Sequence, residues 1–260
     1  MAKTAKKAAK KPEPKKAVAK KPAAKAKPMP AKKQPAKKPA ASTATSSGPV
    51  NKERFTLYGM LGSGPTYTVG LMLTLSKHPF SYFHVNLREG QHKQADYLVK
   101  NRYGQVPTLR DGQAFHVQSA AVLEHLAHSL QKFEGKTEAE RHRIREWLFW
   151  QWDKLSLPVL RLRARSRGFR QFGDEVRIMY DTEAKAAFAV LEHELAKSDW
   201  ITGKRPTIAD IGIYAVTRYT AEANIDLSHY PHLTAWKKRF EALPGFGTPE
   251  QILPMESRLI

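Results

Sequence analysis

The chain has 260 residues, of which 41% are hydrophobic, and its 44 Lys and Arg against 24 Asp and Glu leave a formal net charge of +20. It contains no cysteine, which excludes a disulfide scaffold, a thiolate zinc site, an iron–sulfur cluster and a cysteine nucleophile. No apolar run approaches the ~18 residues of a membrane span, and the N-terminus lacks the apolar core of a signal peptide. We therefore expect a cytoplasmic protein that does not contact membranes.

The first 50 residues differ sharply in composition from the rest of the chain. They hold 15 Lys and one acid, Glu13, which gives +14 and leaves +6 for everything that follows. Seven prolines between Pro12 and Pro39 interrupt any helix. Ala, Lys and Pro bury too little apolar surface to offset an ordering entropy of about 1–2 kcal/mol per residue. We predict a disordered Lys/Ala/Pro-rich tail over residues 1–50.

The composition of this tail resembles the lysine–alanine–proline tails of linker histones and their bacterial counterparts. Two interpretations stay open: a solubilising extension, or non-specific contact with nucleic acid or another polyanion through residues 1–40. In the second case the affinity would come from counterion release and would fall steeply with salt. Sequence-specific recognition is not expected, since no base-reading motif accompanies the tail.

Residues 51–131 alternate between strand and helix signals. The predicted elements are a strand over 54–59, a helix from Pro65, a strand over 79–86, a short polar helix over 91–101, strands over 106–110 and 113–118 around the turn Asp111-Gly112, and a final helix. Ser119 is expected to cap that helix, whose apolar stripe runs to Leu130. The order βαβαββα, with a right-handed βαβ crossover, is the thioredoxin-like arrangement.

Residues 137–260 have mostly helical patterns. Helices are predicted over 138–155, 181–198 and 231–243, with another that begins at Thr207. Thr207 and Asp210 have capping-box spacing, and removal of such a cap costs ~0.5–2 kcal/mol. The predicted fold class is therefore α/β plus all-α: a thioredoxin-like domain over 51–131 followed by an all-helical domain over 137–260.

Several motifs in these two domains carry a family resemblance. The segments LYGMLGSGPTYTV, LREGQHKQADYLVKNRYGQVPTL and DGQAFHVQSAAVLEHLA resemble the N-terminal domain of cytosolic glutathione transferases, theta-like serine-type members especially. The helix start TIAD and the segment YPHLTAWKKRFEALPGF resemble the C-terminal domain of the same family. The resemblance implies a homodimeric enzyme with glutathione as co-substrate and with neither a permanently bound cofactor nor a metal.

Ser63 is the candidate catalytic residue. It lies five residues after Tyr58, at the predicted strand-to-helix turn. A free thiol with a pKa of roughly 8.5 is mostly protonated at neutral pH, and a hydroxyl donor at the positive end of a helix stabilises the thiolate. The resemblance implies that Ser63 activates the thiol of glutathione. The alternative is an ordinary helix cap beside Gly64-Pro65.

Two pairs of residues are candidates for binding the tripeptide at its cysteinyl and γ-glutamyl ends. The resemblance implies a cis Val106-Pro107 bond, which turns the backbone of Val106 toward the cysteinyl unit. It also implies that Gln118 and Ser119 bind the γ-glutamyl group at a helix N-terminus, which is an anion site. The family more often has Glu where this chain has Gln118, so the charge opposite the substrate ammonium is missing.

The glycyl end of glutathione has its own candidate residues. By resemblance, His92 and Lys93 contact the glycyl carboxylate, although a solvated surface pair would have the same sequence. Gln105 is a further candidate contact. Arg102 stands where the family usually has proline, which is expected to change the rigidity of the loop more than its chemistry.

The acceptor site is expected between the two domains, along Met60–Leu61 and the first helices of the second domain. Phe149 and Trp150 either line this site or belong to the core. The stretch 161–170 has five arginines, which are either a solvated helix end or a determinant of preference for anionic ligands.

The leading functional prediction is a glutathione S-transferase. Its thiolate would conjugate an electrophilic small molecule, or isomerise or dehalogenate it. The alternative is a non-catalytic module of the same fold, tethered to nucleic acid or another polyanion by the basic tail.

Overall fold

The computed structural model describes residues 53–255 and the backbone of residues 258–259, so the predicted tail over residues 1–50 lies outside the described part. The helices and strands are, in chain order, β1 (Phe55–Gly59), α1 (Gly64–Leu75), β2 (Phe80–His84), α2 (Ala95–Leu98), β3 (Thr108–Asp111), β4 (Ala114–Val117), α3 (Ser119–Leu130), α4 (Glu138–Trp150), α5 (Leu157–Ser166), α6 (Asp174–Leu195), α7 (Ile208–Thr217), α8 (Pro231–Glu241), α9 (Pro249–Ile252) and β5 (Arg258–Leu259). Among the described residues, no helix is both long enough and apolar enough to cross a membrane.

The strands form one mixed sheet in the order β4-β3-β1-β2-β5. β1 and β2 are parallel, with Phe55 opposite Phe80, and α1 connects them. β3 is antiparallel to both β1 and β4. The predicted βαβαββα domain and the helical domain after it are therefore confirmed.

The last strand was not predicted. β5 is antiparallel to β2, with Leu259 opposite Ser81 and Arg258 opposite Tyr82. A strand of two residues has too little alternation to detect in a sequence. It covers backbone groups of β2 that would otherwise form the edge of the sheet.

Several predicted boundaries move by a few residues. The prediction that Ser119 caps the third helix is wrong by one position, because Gln118 is the N-cap, at φ +67, and Ser119 is the first helical residue. The hairpin turn is Gly112-Gln113, since Asp111 still pairs with Ala114. The polar helix over 91–101 is a 3-10 turn at Gln91–Lys93 followed by the four residues of α2.

The helical half also differs in its boundaries. The helix predicted over 138–155 is α4, which continues into a π-helical segment, Gln151–Ser156, and then into α5. α6 begins at Asp174, seven residues before the predicted start. Its first turns are largely exposed, although they include the apolar residues Val176, Ile178 and Met179.

A buried carboxylate ties the helical half together. The capping box of Thr207 and Asp210 is confirmed. Asp210 is fully buried, and it accepts hydrogen bonds from the backbone N–H groups of Thr207 and Ile201, each at 2.9 Å, and from the Trp236 indole at 3.0 Å. It therefore joins α7, the loop before it and α8, which is a larger role than that of a helix cap.

Candidate functional site

A cavity of about 720 Å³ opens beside the N-terminus of α1. All eight residues predicted to form the site line it: Ser63, His92, Lys93, Gln105, Val106, Pro107, Gln118 and Ser119. Asn101 and Trp152 also line it, and neither was predicted. The structure thus brings the whole predicted set together around one space.

Ser63 is the N-cap of α1. Its Oγ accepts a hydrogen bond from the backbone N–H of Thr66 at 3.2 Å, and this bond uses the oxygen as acceptor. Within the described residues no acceptor takes the hydroxyl proton. The cap and a donor role toward a sulfur atom are therefore compatible, since they use different atoms of the same hydroxyl group.

The Val106-Pro107 bond is cis, as predicted. The chain around it is fixed by Asn101, which is buried and donates from Nδ2 to the Gln105 carbonyl at 2.7 Å and to Thr108 Oγ1 at 3.1 Å. The hydroxyl of Tyr97 donates to the same Gln105 carbonyl at 2.8 Å. Asn101 and Gly104 have the spacing that the family shows at this position. This spacing could have predicted a role for Asn101, but the site prediction did not use it.

A tight loop places His92 and Lys93 at the cavity. Gly104 has φ +54, and a Cβ there would lie 2.8 Å from the His92 carbonyl oxygen, so this close approach requires glycine. The Lys93 ammonium donates to the Gly104 carbonyl at 3.0 Å. Burial, with Lys93 as a second cause, lowers the pKa of His92. Arg102 lies outside the cavity, with its guanidinium over the Tyr103 ring.

The N-terminus of α3 forms another wall of this cavity. Ser119 is buried, whereas Gln118 is exposed, and the Gln118 side chain makes no capping bond to the helix. The N–H groups of the first turn therefore keep their capacity to bind an anion.

A second cavity, of about 700 Å³, lies between the two halves of the described body. Met60 and Leu61 line it, as predicted, and α5 contributes Leu160 and Arg163. Ser63 lines both cavities. A group bound in the first cavity can therefore meet a group bound in the second at this serine.

Phe149 and Trp150 do not line the second cavity. Phe149 is 71% exposed. Trp150 packs edge-on against Trp147, with ring centroids 5.0 Å apart. The core interpretation is therefore right for Trp150 and wrong for Phe149.

Arg163 departs most from the sequence analysis. The sequence analysis allowed a solvated helix end here, but Arg163 is buried. Its guanidinium donates to the Gly62 carbonyl at 2.8 Å and to Glu222 at 3.0 Å. The guanidinium carbon lies 3.7 Å from the centroid of the Tyr219 ring. It thereby holds the turn that precedes Ser63. Its partners, Gly62 and Glu222, are distant from it in the sequence, so no local pattern predicts these contacts.

Three residues among those described are close enough to share a metal ion. Ligand atoms of Asp111, His116 and His125 all lie within 4.8 Å of one another. Arg54 donates to both carboxylate oxygens of Asp111, at 2.7 and 2.9 Å, and the two imidazole rings are stacked with centroids 3.7 Å apart. A metal ion here would have to displace Arg54, so we derive no chemistry from this cluster.

Comparison with known proteins gives a consistent result. The family models for the N-terminal and C-terminal domains of glutathione S-transferase match residues 53–128 and 173–244. A solved glutathione S-transferase from Xanthobacter autotrophicus is 30% identical, with a TM-score of 0.69 over 76% of this chain and 100% of that one. The disulfide-bond oxidoreductase YfcG of Escherichia coli is 24% identical over 70% of this chain and 87% of its own length. Glutathione S-transferase theta-1 of Rattus norvegicus is 26% identical over 73% of this chain and 83% of its own length.

Proposed function

Because this chain belongs to the glutathione S-transferase family, we propose that it is a serine-type, theta-like transferase that conjugates glutathione to an electrophilic small molecule. A glutathione-binding function follows at the level of the family. The serine-type reaction rests on one observation: Ser63 lines both cavities, and no acceptor in the described part of the chain takes its hydroxyl proton.

In this proposal the first cavity binds glutathione from end to end. Ser119 and the N–H groups of α3 bind the γ-glutamyl carboxylate, and Gln118 supplies polar contact without charge. The backbone of Val106, held by the cis bond to Pro107, pairs with the cysteinyl unit. The carboxylate at the other end has candidate contacts in His92, Lys93 and Gln105.

The chemical step needs a thiolate at the junction of the two cavities. Ser63 donates a hydrogen bond to the sulfur, and the positive end of α1 favours the anion, so the pKa of the thiol falls. The thiol proton leaves to solvent. The thiolate then attacks an electrophilic carbon in the second cavity: a carbon–sulfur bond forms and the leaving group departs with its electron pair. Isomerisation or dehalogenation would begin with the same attack.

Purified full-length protein tests this proposal. It should be retained on immobilised glutathione and should conjugate at least one member of a panel of alkyl halides, aryl halides, epoxides and enones. Retention without any turnover would favour the alternative, a non-catalytic binding module. If the protein is not retained and conjugates no electrophile, a glutathione-dependent function is refuted.

The tail and the assembly are separate parts of the proposal. By resemblance to the family, we expect a cytoplasmic homodimer. We also expect its tail to contact nucleic acid or another polyanion, because the tail carries +14 of the formal charge of +20. Deletion of residues 1–48 should abolish salt-sensitive retention on immobilised DNA and leave conjugation unchanged. Unaltered retention would refute a role for the tail.

A further inference from the structure

Two exposed arginines flank one exposed aromatic ring at the second cavity. The guanidinium carbons of Arg88 and Arg167 lie 5.9 and 5.6 Å from the centroid of the Phe169 ring, and all three residues line the cavity. The residues come from two parts of the chain, the loop after β2 and the end of α5. Among the described residues, Arg88 has no acidic partner.

The charge of this cavity is positive on balance. Its lining contains three arginines, Arg88, Arg163 and Arg167, and two glutamates, Glu222 and Glu250. Glu222 is already paired with Arg163 and Arg167 at once. A surplus of one formal positive charge therefore remains in the lining, and Arg88 is the arginine in it that has no acidic partner among the described residues.

The rest of the cavity wall is suited to an apolar group. Met60, Leu61 and Leu160 line the cavity together with Ser63. The lining therefore offers an occupant both apolar side chains and, at Arg88 and Arg167, exposed guanidinium groups. A flat aromatic body with an anionic group has this arrangement of chemistry.

We propose that the second cavity selects aryl electrophiles that carry a carboxylate or a similar planar anion, which Arg88 and Arg167 bind beside the Phe169 ring. The inference rests on the proposed function, because it assigns the electrophile of that reaction. Guanidinium groups match planar anions through paired hydrogen bonds, and such charge-assisted bonds are about twice as strong as neutral ones.

The kinetic test uses two electrophiles of nearly equal shape, 4-(chloromethyl)benzoate and 4-nitrobenzyl chloride. In each reaction the sulfur–carbon bond forms, the carbon–chlorine bond breaks, chloride leaves with its electron pair and the thiol proton goes to solvent. Each kcat/KM is divided by the rate of the uncatalysed reaction with glutathione, which removes the difference in intrinsic reactivity. We expect about a tenfold preference for the carboxylate at low ionic strength, which salt should reduce.

Matched variants assign that preference to the two arginines. In the double variant Arg88→Gln, Arg167→Gln, the normalised kcat/KM for the carboxylate should fall to that for the nitro compound. The control is Arg170→Gln, since Arg170 is exposed in the same stretch and does not line the cavity. Equal rates for the two electrophiles in the wild type, or a preference that survives in the double variant, would overturn the inference.

A binding measurement keeps the inference apart from the proposed function. Calorimetry would compare S-(4-carboxybenzyl)glutathione with S-(4-nitrobenzyl)glutathione, neither of which needs turnover. Tighter binding of the carboxylate, lost in the double variant, would support the inference even if no electrophile reacts, and in that case the proposed reaction alone would fail. Equal affinities of the two ligands would contradict the inference whatever the kinetics.

Discussion

The two cavities that meet at Ser63 were not equally predictable. Every predicted residue of the first cavity is in place, and most of its wall comes from the compact stretch between Ser63 and Ser119. The wall of the second cavity runs from Met60 to Met255, and the prediction there was right for Met60–Leu61 and for a helix of the second domain, but wrong for Phe149 and Trp150. A site that binds its ligand through backbone groups has local sequence motifs that can be recognised. A cavity between two halves of the body is lined by residues far apart in the sequence and has almost no such motifs.

Loss of the Ser63 hydroxyl should have the largest effect, because this residue belongs to both cavities. For Ser63→Ala we expect kcat/KM to fall about 10²–10³-fold for every electrophile, by analogy with removal of one oxyanion donor. The pKa of bound glutathione, followed by thiolate absorbance, should rise. Ser63→Thr keeps both the hydroxyl and the cap and should recover most of the activity. Full activity of the alanine variant would remove Ser63 from the mechanism.

Asp210→Ala should lower the free energy of unfolding of the whole body and should affect both cavities alike. It leaves two backbone N–H groups and the Trp236 indole without their acceptor, and an orphaned buried donor costs ~1–3 kcal/mol. We expect urea unfolding to show a loss of about 3 kcal/mol. Asp199→Ala, which breaks an exposed pair with Arg239, should cost less than about 1 kcal/mol. Similar losses for the two variants would contradict the role assigned to Asp210.

Arg163→Met should affect the second cavity and the turn before Ser63 while sparing the first cavity. The Gly62 carbonyl loses its donor, so we expect kcat/KM to fall about tenfold, consistent with one charge-assisted hydrogen bond. The affinity for glutathione should change little. Arg161→Met, on the same helix but outside both cavities, is the control. A loss of glutathione affinity as large as the loss of kcat/KM would contradict the separate roles assigned to the two cavities.

The smallest effect concerns the hairpin beside the first cavity. Burial, followed by the nearby His125, lowers the pKa of His116 below 6.5. The unfolded chain then binds this proton more readily than the folded one, so stability is lost as the pH falls below about 6.5. His116→Asn should reduce this loss, measured by thermal unfolding between pH 7.5 and 5.5. An unchanged pH dependence for His116→Asn would contradict the prediction.

Local sequence was sufficient wherever backbone geometry decides the structure. The cap at Ser63, the cis bond at Val106-Pro107 and the capping box at Asp210 all depend on neighbouring residues, and all are present. Arg163 was misinterpreted because its partners, Gly62 and Glu222, are distant in sequence. No local pattern encodes such contacts.

The second strand pairing of β2 and the position of Trp152 have the same explanation. β5 pairs with β2 although the two strands are far apart in the sequence. Trp152 reaches the first cavity from the π-helical segment, whose irregular winding changes the direction of its side chains from that expected for an α-helix. Both features depend on how the helical half packs on the sheet.

A crystal structure of the protein with glutathione would test the central claim most directly. We predict the sulfur within hydrogen-bonding distance of Ser63 Oγ, with the cysteinyl backbone paired to Val106 and the γ-glutamyl carboxylate at Ser119. A tripeptide bound elsewhere, or bound in the first cavity with its sulfur away from Ser63, would contradict the account.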